Sequence, residues 1–571
     1  VGTVSRLLRI GFIKRSGKTE AVKEPEFGEK PEYLVKYIEE FKKQYGEEPL
    51  IVDRPSGDMK MWRKYNVIYP VGGGVFIHAT NISSRGIGYA TYTVIEPPRP
   101  PPQLLKAIEE VLALKIRPEH AAESAEEKKK ILLTLLDEIL IPSEKPVDYS
   151  RVKTSNSRIQ VNQADIDYIK YHLIRDKIGV GILEPFLRDP YLEDISAKGV
   201  GNIYIVHKIF GTMETSIGFT SEEELDEFII RLGEKIGKPI SRARPVVDAT
   251  LPDGSRINIV YGTDVSLFGS NFTIRKVAKT PISVTQLIKW GTFNEYAAAY
   301  MWIMLSEGMS AFICGETASG KTTALNALAV FIRPNNKIVS IEDTAEVVLP
   351  HPNWVRELTR DTGKPESSVT MFDLLKAALR QRPNYIIVGE IRGAEGNIAF
   401  QAMQTGHPVL STFHAANLER LLQRLTNQPI NVPKTNLDSL NIAWFQSSVY
   451  DKRGMLVRRM ISINEIIGYD PKTDSIVAIP VFTWDPVADV HRFSGRGSSY
   501  LLEEKIAVMR GISRRDIKYI YDELELRAKF LRHLVEKNIL DYFDVYKAVV
   551  KTYELGLEEA YRRLIKGELL K

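Results

Sequence analysis

Eight consecutive residues, Gly315-Glu316-Thr317-Ala318-Ser319-Gly320-Lys321-Thr322, satisfy the spacing G-x-x-x-x-G-K-[ST] without a gap. These residue types suit one chemistry. Glycines let the backbone wrap an anion closely, amide N–H groups and a helix N-terminus face it, and Lys321 adds a point charge. The hydroxyl of Thr322 is suited to ligate Mg²⁺, and Thr323 opens the helix-forming run Thr323-Ala324-Leu325-Asn326. The stretch Gly315 to Thr323 is therefore expected to cradle the phosphates of a nucleotide.

A cradle of this kind needs acidic groups on neighbouring strands to hold Mg²⁺ and position water. Glu390 lies in Val388-Gly389-Glu390-Ile391-Arg392-Gly393, a Walker-B-like place with Glu where Asp is usual. Glu342, Asp343 and Glu346 follow a second apolar run. Acidic residues after strands also serve as helix caps; two such clusters beside one P-loop favour catalysis. His414 closes a third run and has the chemistry to hydrogen-bond a γ-phosphate. His407 and His414 lack metal-type spacing and have no cysteine pair nearby, so zinc is not expected.

The elements that must position these groups are short apolar runs: Ala311 to Cys314, Ile338 to Ile341, Tyr385 to Val388 and Val409 to Phe413. Helix-like stretches separate them. Near-continuous apolar strands alternating with helices predict a parallel sheet covered on both faces, an α/β fold with ligands at the carboxyl ends of its strands.

The order of these motifs, ending in Thr405-Gly406-His407-Pro408 and Ser411-Thr412-Phe413-His414-Ala415, resembles the secretion ATPase superfamily. That superfamily comprises the hexameric traffic ATPases of type II and type IV secretion, type IV pili and archaeal pili or archaella. Its Walker A, Asp box, Walker B and His box signatures all occur here in sequence. The resemblance implies a RecA-like P-loop ATPase core that binds ATP and Mg²⁺. It implies phosphate binding by Lys321, Mg²⁺ held by Thr322 and Glu390, Glu346 as the favoured general base, and His414 near the γ-phosphate. Glu342 is a second acidic candidate, and the residues alone leave base and metal partner undecided. The resemblance further implies a homohexameric ring at the cytoplasmic face of a membrane, with an integral membrane platform protein and pilin-like or secreted cargo as partners. The single cysteine, Cys314, excludes the tetracysteine zinc motif of many bacterial general-secretion ATPases, favouring the archaeal or tight-adherence-like branches.

Residues 164–279 mix helical and strand patterns and read as the α+β domain that precedes the core in this family, through Arg244-Pro245-Val246-Val247-Asp248 and Leu251 to Asn258. Arg256, Arg275 and Arg380 are candidates to reach the phosphates, within or across subunits, and a hinge is expected at Lys276 to Pro281. Residues 1–102 form a mixed region of uncertain role ending in the stiff segment Pro97 to Pro102; residues 103–163 read as helices followed by a polar bridge, Pro142 to Gln163. Residues 280–571 carry the core and a helix-rich tail.

Composition bounds the rest. Of 571 residues, 44% are hydrophobic and 26% charged, which excludes a disordered or collagenous chain. The net charge of +5 is too mild to argue for nucleic acid, and no specific nucleic-acid partner is expected. The longest apolar run, Tyr296 to Leu305, is about half of what a bilayer demands, and the N-terminus shows no signal-peptide apolar core. The chain reads as cytoplasmic, peripheral on the membrane if the resemblance holds. A nucleic-acid translocase or helicase, a conjugation-type ATPase and a non-enzymatic nucleotide-gated scaffold are the competing readings.

Overall fold

The computed structural model describes residues 12–15, 18–21, 30–56, 59, 62–82, 90–117, 124–143, 145–149, 154–155, 158–277, 280–360, 366–452 and 454–570. The chain divides into two compact units, residues 1–277 and 278–571. The expected hinge spans that division, and two of its residues, 278 and 279, lie outside the described set.

In the first unit a ten-stranded sheet runs in the order 246–250, 256–260, 271–275, 192–197, 201–207, 211–219, 91–95, 75–80, 66–72 and 50–51. Strands from the mixed N-terminal region and from the α+β stretch are thus hydrogen-bonded into one sheet. The seam is a short parallel pairing of Glu214 with Thr91 and Thr215 with Tyr92. A buried polar knot bridges the same two stretches. Asp189, fully buried, accepts hydrogen bonds from the hydroxyls of Tyr69 and Tyr92 at 2.8 Å each and from the Tyr191 amide at 2.8 Å. Around it, alternate residues such as Ile195, Ile203, Ile205, Ile257, Ile259, Phe272 and Ile274 turn inward against Leu225, Ile229 and Leu232 of helix Glu222–Lys235.

The proline segment ends as the start of helix Pro102–Lys115, where a ring-fixed φ and a missing N–H cost nothing. Helix Ala125–Ile139 follows, opened by a capping box between Ser124 and Glu127. The stretch expected as a polar bridge instead carries strands Leu140–Ser143, Thr154–Ser155 and Arg158–Asn162 in a three-stranded sheet. Only Ile159 and Val161 of the last strand turn inward, a period-two signal too short to stand out among polar neighbours.

The second unit is built on a nine-stranded sheet: β1 (Ala311–Cys314), β2 (Ile338–Glu342), β3 (Trp354–Leu358), β4 (Tyr385–Ile391), β5 (Val409–Phe413), β6 (Ile442–Tyr450), β7 (Leu456–Asp470), β8 (Ser475–Asp485) and β9 (Val490–Phe493). Its order is β3-β2-β4-β5-β1-β6-β7-β8-β9. The first six are parallel, and β6 to β9 continue as an antiparallel meander. This is an α/β fold. β1, β2 and β5 are buried at every residue, as a sheet covered on both faces requires. The long apolar run forms helix α1 (Glu295–Ser306), buried from Ala297 to Ser306 and roofed by helix Lys518–Glu536, whose Glu525 accepts from Tyr296 Oη at 2.7 Å. Its all-round apolarity reflects two packed faces. Among the described residues no helix is long and apolar enough to cross a membrane.

Candidate active site

The P-loop joins β1 to α2 (Lys321–Ala329). Ala318 (φ 62°) and Gly320 (φ 87°) both adopt left-handed backbone, curling the loop so that its amides converge. The amides of the first turn of α2 add donors that no helical carbonyl can use. A Cβ at position 315 would lie 2.3 Å from the Gln446 carbonyl oxygen and 2.5 Å from Ser319 Oγ, so only glycine fits there.

The loop's carbonyls are tied outward. Gln446 Nε2 donates to the Ser319 oxygen at 2.8 Å, and Ser448 Oγ and Arg458 Nε donate to the Ala318 oxygen at 3.1 and 3.2 Å. Lys321 Nζ and Ser319 Oγ donate to the Glu316 oxygen at 2.9 and 2.8 Å. Burial lowers the Lys321 pKa, countered by the Glu390 carboxylate.

The strand ends bring the remaining groups to one edge. Cys314 of β1 is paired with Phe413 of β5, Phe413 with Ile391 of β4, and Val388 of β4 with Ile341 of β2. Gly315, His414, Glu390 and Glu342 therefore follow one another along the carboxyl edge. The β4–β5 register shifts between Val388 and Glu390, and Thr412 Oγ1 donates to the Gly389 carbonyl at 2.6 Å within this bulge. A bulge of this kind re-aims a side chain. Here it serves Glu390, which ion-pairs with Arg392 through Oε2.

The other Glu390 oxygen, Oε1, is buried, lies 3.1 Å from His414 Nε2, and has no hydrogen-bonded partner. A carboxylate oxygen held inward without a donor is suited to a cation or its coordinated water. Together with the Thr322 hydroxyl type at the start of α2, the donors present fit Mg²⁺. His414 has its pKa lowered first by burial and then by the charge of Lys321, against the opposing carboxylate of Glu390.

Glu342, the second acidic candidate, is tied to backbone amides. It is 1% exposed, and its Oε1 accepts the backbone amides of Glu346 and Val347 at 2.8 and 2.7 Å, while Arg356 Nε lies 3.4 Å from Oε2. Burial raises its pKa against those amide bonds. It thus holds the backbone that carries Glu346. Asn326 of α2 grips the same loop, donating to the Glu346 carbonyl at 3.0 Å and accepting from the Val348 amide at 3.1 Å. The Glu346 side chain is half-buried and, with Glu390, lies close enough to Lys321 to favour its charged form.

The arginines divide differently. Arg380 ends helix α3 (Met371–Arg380), before the amino end of β4, roughly 17 Å of strand below Glu390. The structure does not bring it to this chain's own P-loop edge. Arg256 and Arg275 belong to the first unit, opposite each other on adjacent antiparallel strands, with Arg275 Nε 3.4 Å from Asp194 Oδ1. Sequence reasoning missed Gln446, Ser448 and Arg458, more than 120 residues downstream of the loop and without a motif of their own. It also passed over Arg392, which was visible inside the Glu390 motif.

Residues 176–443 match the family model described as type II/IV secretion system protein. An uncharacterised protein of Methanocaldococcus jannaschii is 49% identical over 92% of this chain and 96% of its own length. A putative conjugal transfer protein of Mycobacterium tuberculosis is 30% identical over 42% of this chain and 70% of its own. The solved Legionella pneumophila ATPase DotB is 18% identical, covering 67% of this chain and 93% of its own, with a TM-score of 0.37.

Proposed function

This chain belongs to the type II/IV secretion ATPase superfamily, and from that premise we propose that it is an Mg²⁺-dependent ATP hydrolase working as the hexameric motor of a secretion or pilus-assembly apparatus. The observation that carries the reading is the P-loop with Lys321 on the same sheet edge as Glu390, His414 and the loop of Glu346. The strand order, with β5 between the P-loop strand and the Glu390 strand, supports a RecA-like core.

In this reading the loop amides and Lys321 hold the β- and γ-phosphates, and Thr322 and Glu390 hold the metal. Bound there, Mg²⁺ neutralises charge that develops on the phosphates. Glu346 takes a proton from the attacking water as its oxygen bonds to the γ-phosphorus. The bond from that phosphorus to the bridging oxygen breaks, and Lys321 and the amides stabilise the charge left on the β-phosphate. His414, beside Glu390, is proposed to hydrogen-bond the γ-phosphate and to respond to its loss. Differential contact with that group lets hydrolysis drive a change of state, closure of residues 164–279 onto residues 280–571. Arg256 and Arg275 are proposed to complete the charge balance from that domain, and Arg380 to do so across subunits. The membrane platform protein and the cargo remain the proposed partners, at the cytoplasmic face.

The test is steady-state phosphate release from Mg·ATP by the purified chain. Turnover that Lys321→Ala abolishes supports the proposal; no turnover by a folded, ATP-binding hexamer refutes it in favour of a gated scaffold. Stimulation by single-stranded DNA would favour a conjugation-type or translocase role, which the Mycobacterium relative's name suggests for that protein.

A further inference from the structure

The two flanks of the P-loop are chemically unlike. On one lie β5, β4 and β2, with His414, Glu390 and the Glu346 loop; this is the γ-phosphate side. On the other lies β6, parallel to β1 and paired with it up to Cys314 and Phe445. There β1 ends, but β6 runs five residues further to Tyr450, about 16 Å, and β7 returns beside it from Leu456.

One face of this overhanging hairpin is pressed against the cradle. Ser448 and Arg458 are cross-strand partners, and both donate to the Ala318 carbonyl. The register is regular from there outward: Val449 opposes Val457, and Tyr450 opposes Leu456. The two-residue period of a strand places Tyr450 and Leu456 on the same face as Ser448 and Arg458, roughly 7 Å further from the loop. Directly opposed residues of an antiparallel pair are neighbours on one face, so these two offer one apolar step. It is open: Tyr450 is 75% exposed and Leu456 53%.

A cradle for phosphate alone has no use for an apolar step at its lip. A nucleotide does. With the γ-phosphate on the Glu390 side, the α-phosphate, ribose and base leave on the opposite flank, and the step stands there about one ribose length away. We propose that Tyr450 and Leu456 form the platform on which the nucleobase stacks, with the Arg458 guanidinium at the boundary between base and phosphates. This rests on the nucleotide reading above and deepens it. An aromatic face recognises the π-surface common to all bases, so the platform prefers purines to pyrimidines and separates ATP from GTP only weakly.

The experiment measures binding of Mg·ATP, Mg·GTP and inorganic tripolyphosphate to the full chain and to Tyr450→Ala, Tyr450→Trp and Leu456→Ser. Both sites are surface positions, and unchanged thermal unfolding is checked first. Tyr450→Ala is expected to weaken ATP roughly ten-fold, as loss of one aromatic stacking partner does. Tripolyphosphate affinity should stay within two-fold, and Tyr450→Trp should restore ATP. Retention of ATP affinity by both Tyr450→Ala and Leu456→Ser overturns the platform, and so does equal loss of ATP and tripolyphosphate, which would mark a distorted cradle. Wild-type protein that binds neither probe overturns the nucleotide reading itself.

Discussion

Glu342→Gln separates two roles that sequence alone leaves open for the acidic residues after β2. Glu342 is buried and gives one oxygen to two amides, those of Glu346 and Val347, at 2.8 and 2.7 Å. Truncation to Ala would strip both of a charged acceptor at about 1.5–3 kcal/mol each, or ~3–6 kcal/mol, a large part of the ~5–15 kcal/mol that holds a typical domain. Glutamine keeps the shape and one accepting oxygen. It gives up only the charge assistance, roughly half of that sum, and the 3.4 Å contact with partly exposed Arg356, which is worth little. Glu342→Gln should therefore lose about 1–3 kcal/mol of stability and turn over ATP within roughly ten-fold of wild type, because the loop amides keep an acceptor. Glu346→Gln should leave stability and ATP binding intact and lose about 10²–10⁴ in turnover, the usual worth of a general base. Denaturant unfolding and phosphate release on the same preparations read both quantities. Full stability with abolished turnover in Glu342→Gln, beside normal hydrolysis in Glu346→Gln, would refute the assignment and exchange the two residues.

Lys321→Ala should abolish ATP binding and any nucleotide-dependent domain closure, measured by titration and small-angle scattering; closure that survives the substitution contradicts the cradle. Gln446→Ala removes one ~1 kcal/mol hydrogen bond from the loop's outer side and should weaken ATP about five-fold, read by competition binding. His78 and His207 are buried in the first unit, and burial pushes both pKa values down to about 3, with Lys208 adding to the effect on His207. Their folded values lie below the unfolded 6.5, so their contribution is complete above pH 6.5 and is lost as the pH falls towards 3. Between pH 7 and pH 5 each should cost about 2 kcal/mol of stability; a urea midpoint that does not move over this range contradicts it.

The chemistry-bearing edge of the second unit was legible because each of its groups lies at or just after the carboxyl end of a buried apolar run, where the run and the polar residue that ends it are both local signals. The order of the strands was not: nothing near Gly315 announces that β5 and β6 flank it, since pairing is decided by contacts between residues as far apart in sequence as Ala311 and Ile442. For the same reason Gln446, Ser448 and Arg458 escaped notice. Glu342 and Glu346 look alike in sequence, and only burial tells the buried clamp from the half-buried acid. In the first unit, helices 102–115 and 125–139 were visible through apolar spacing, whereas strands 192–197 and 211–219, with polar residues on their solvent face, were not. Residues 50–95 join the sheet of residues 192–275 through two residue pairs and contacts such as Asp189 with Tyr69 and Tyr92, none of which carries a pattern.

The most direct trial of the account is calorimetric titration of the folded chain with Mg·ATP. The account predicts one saturable site per chain that Lys321→Ala eliminates. Absence of any binding heat at millimolar nucleotide, or an isotherm unchanged by that substitution, would contradict it.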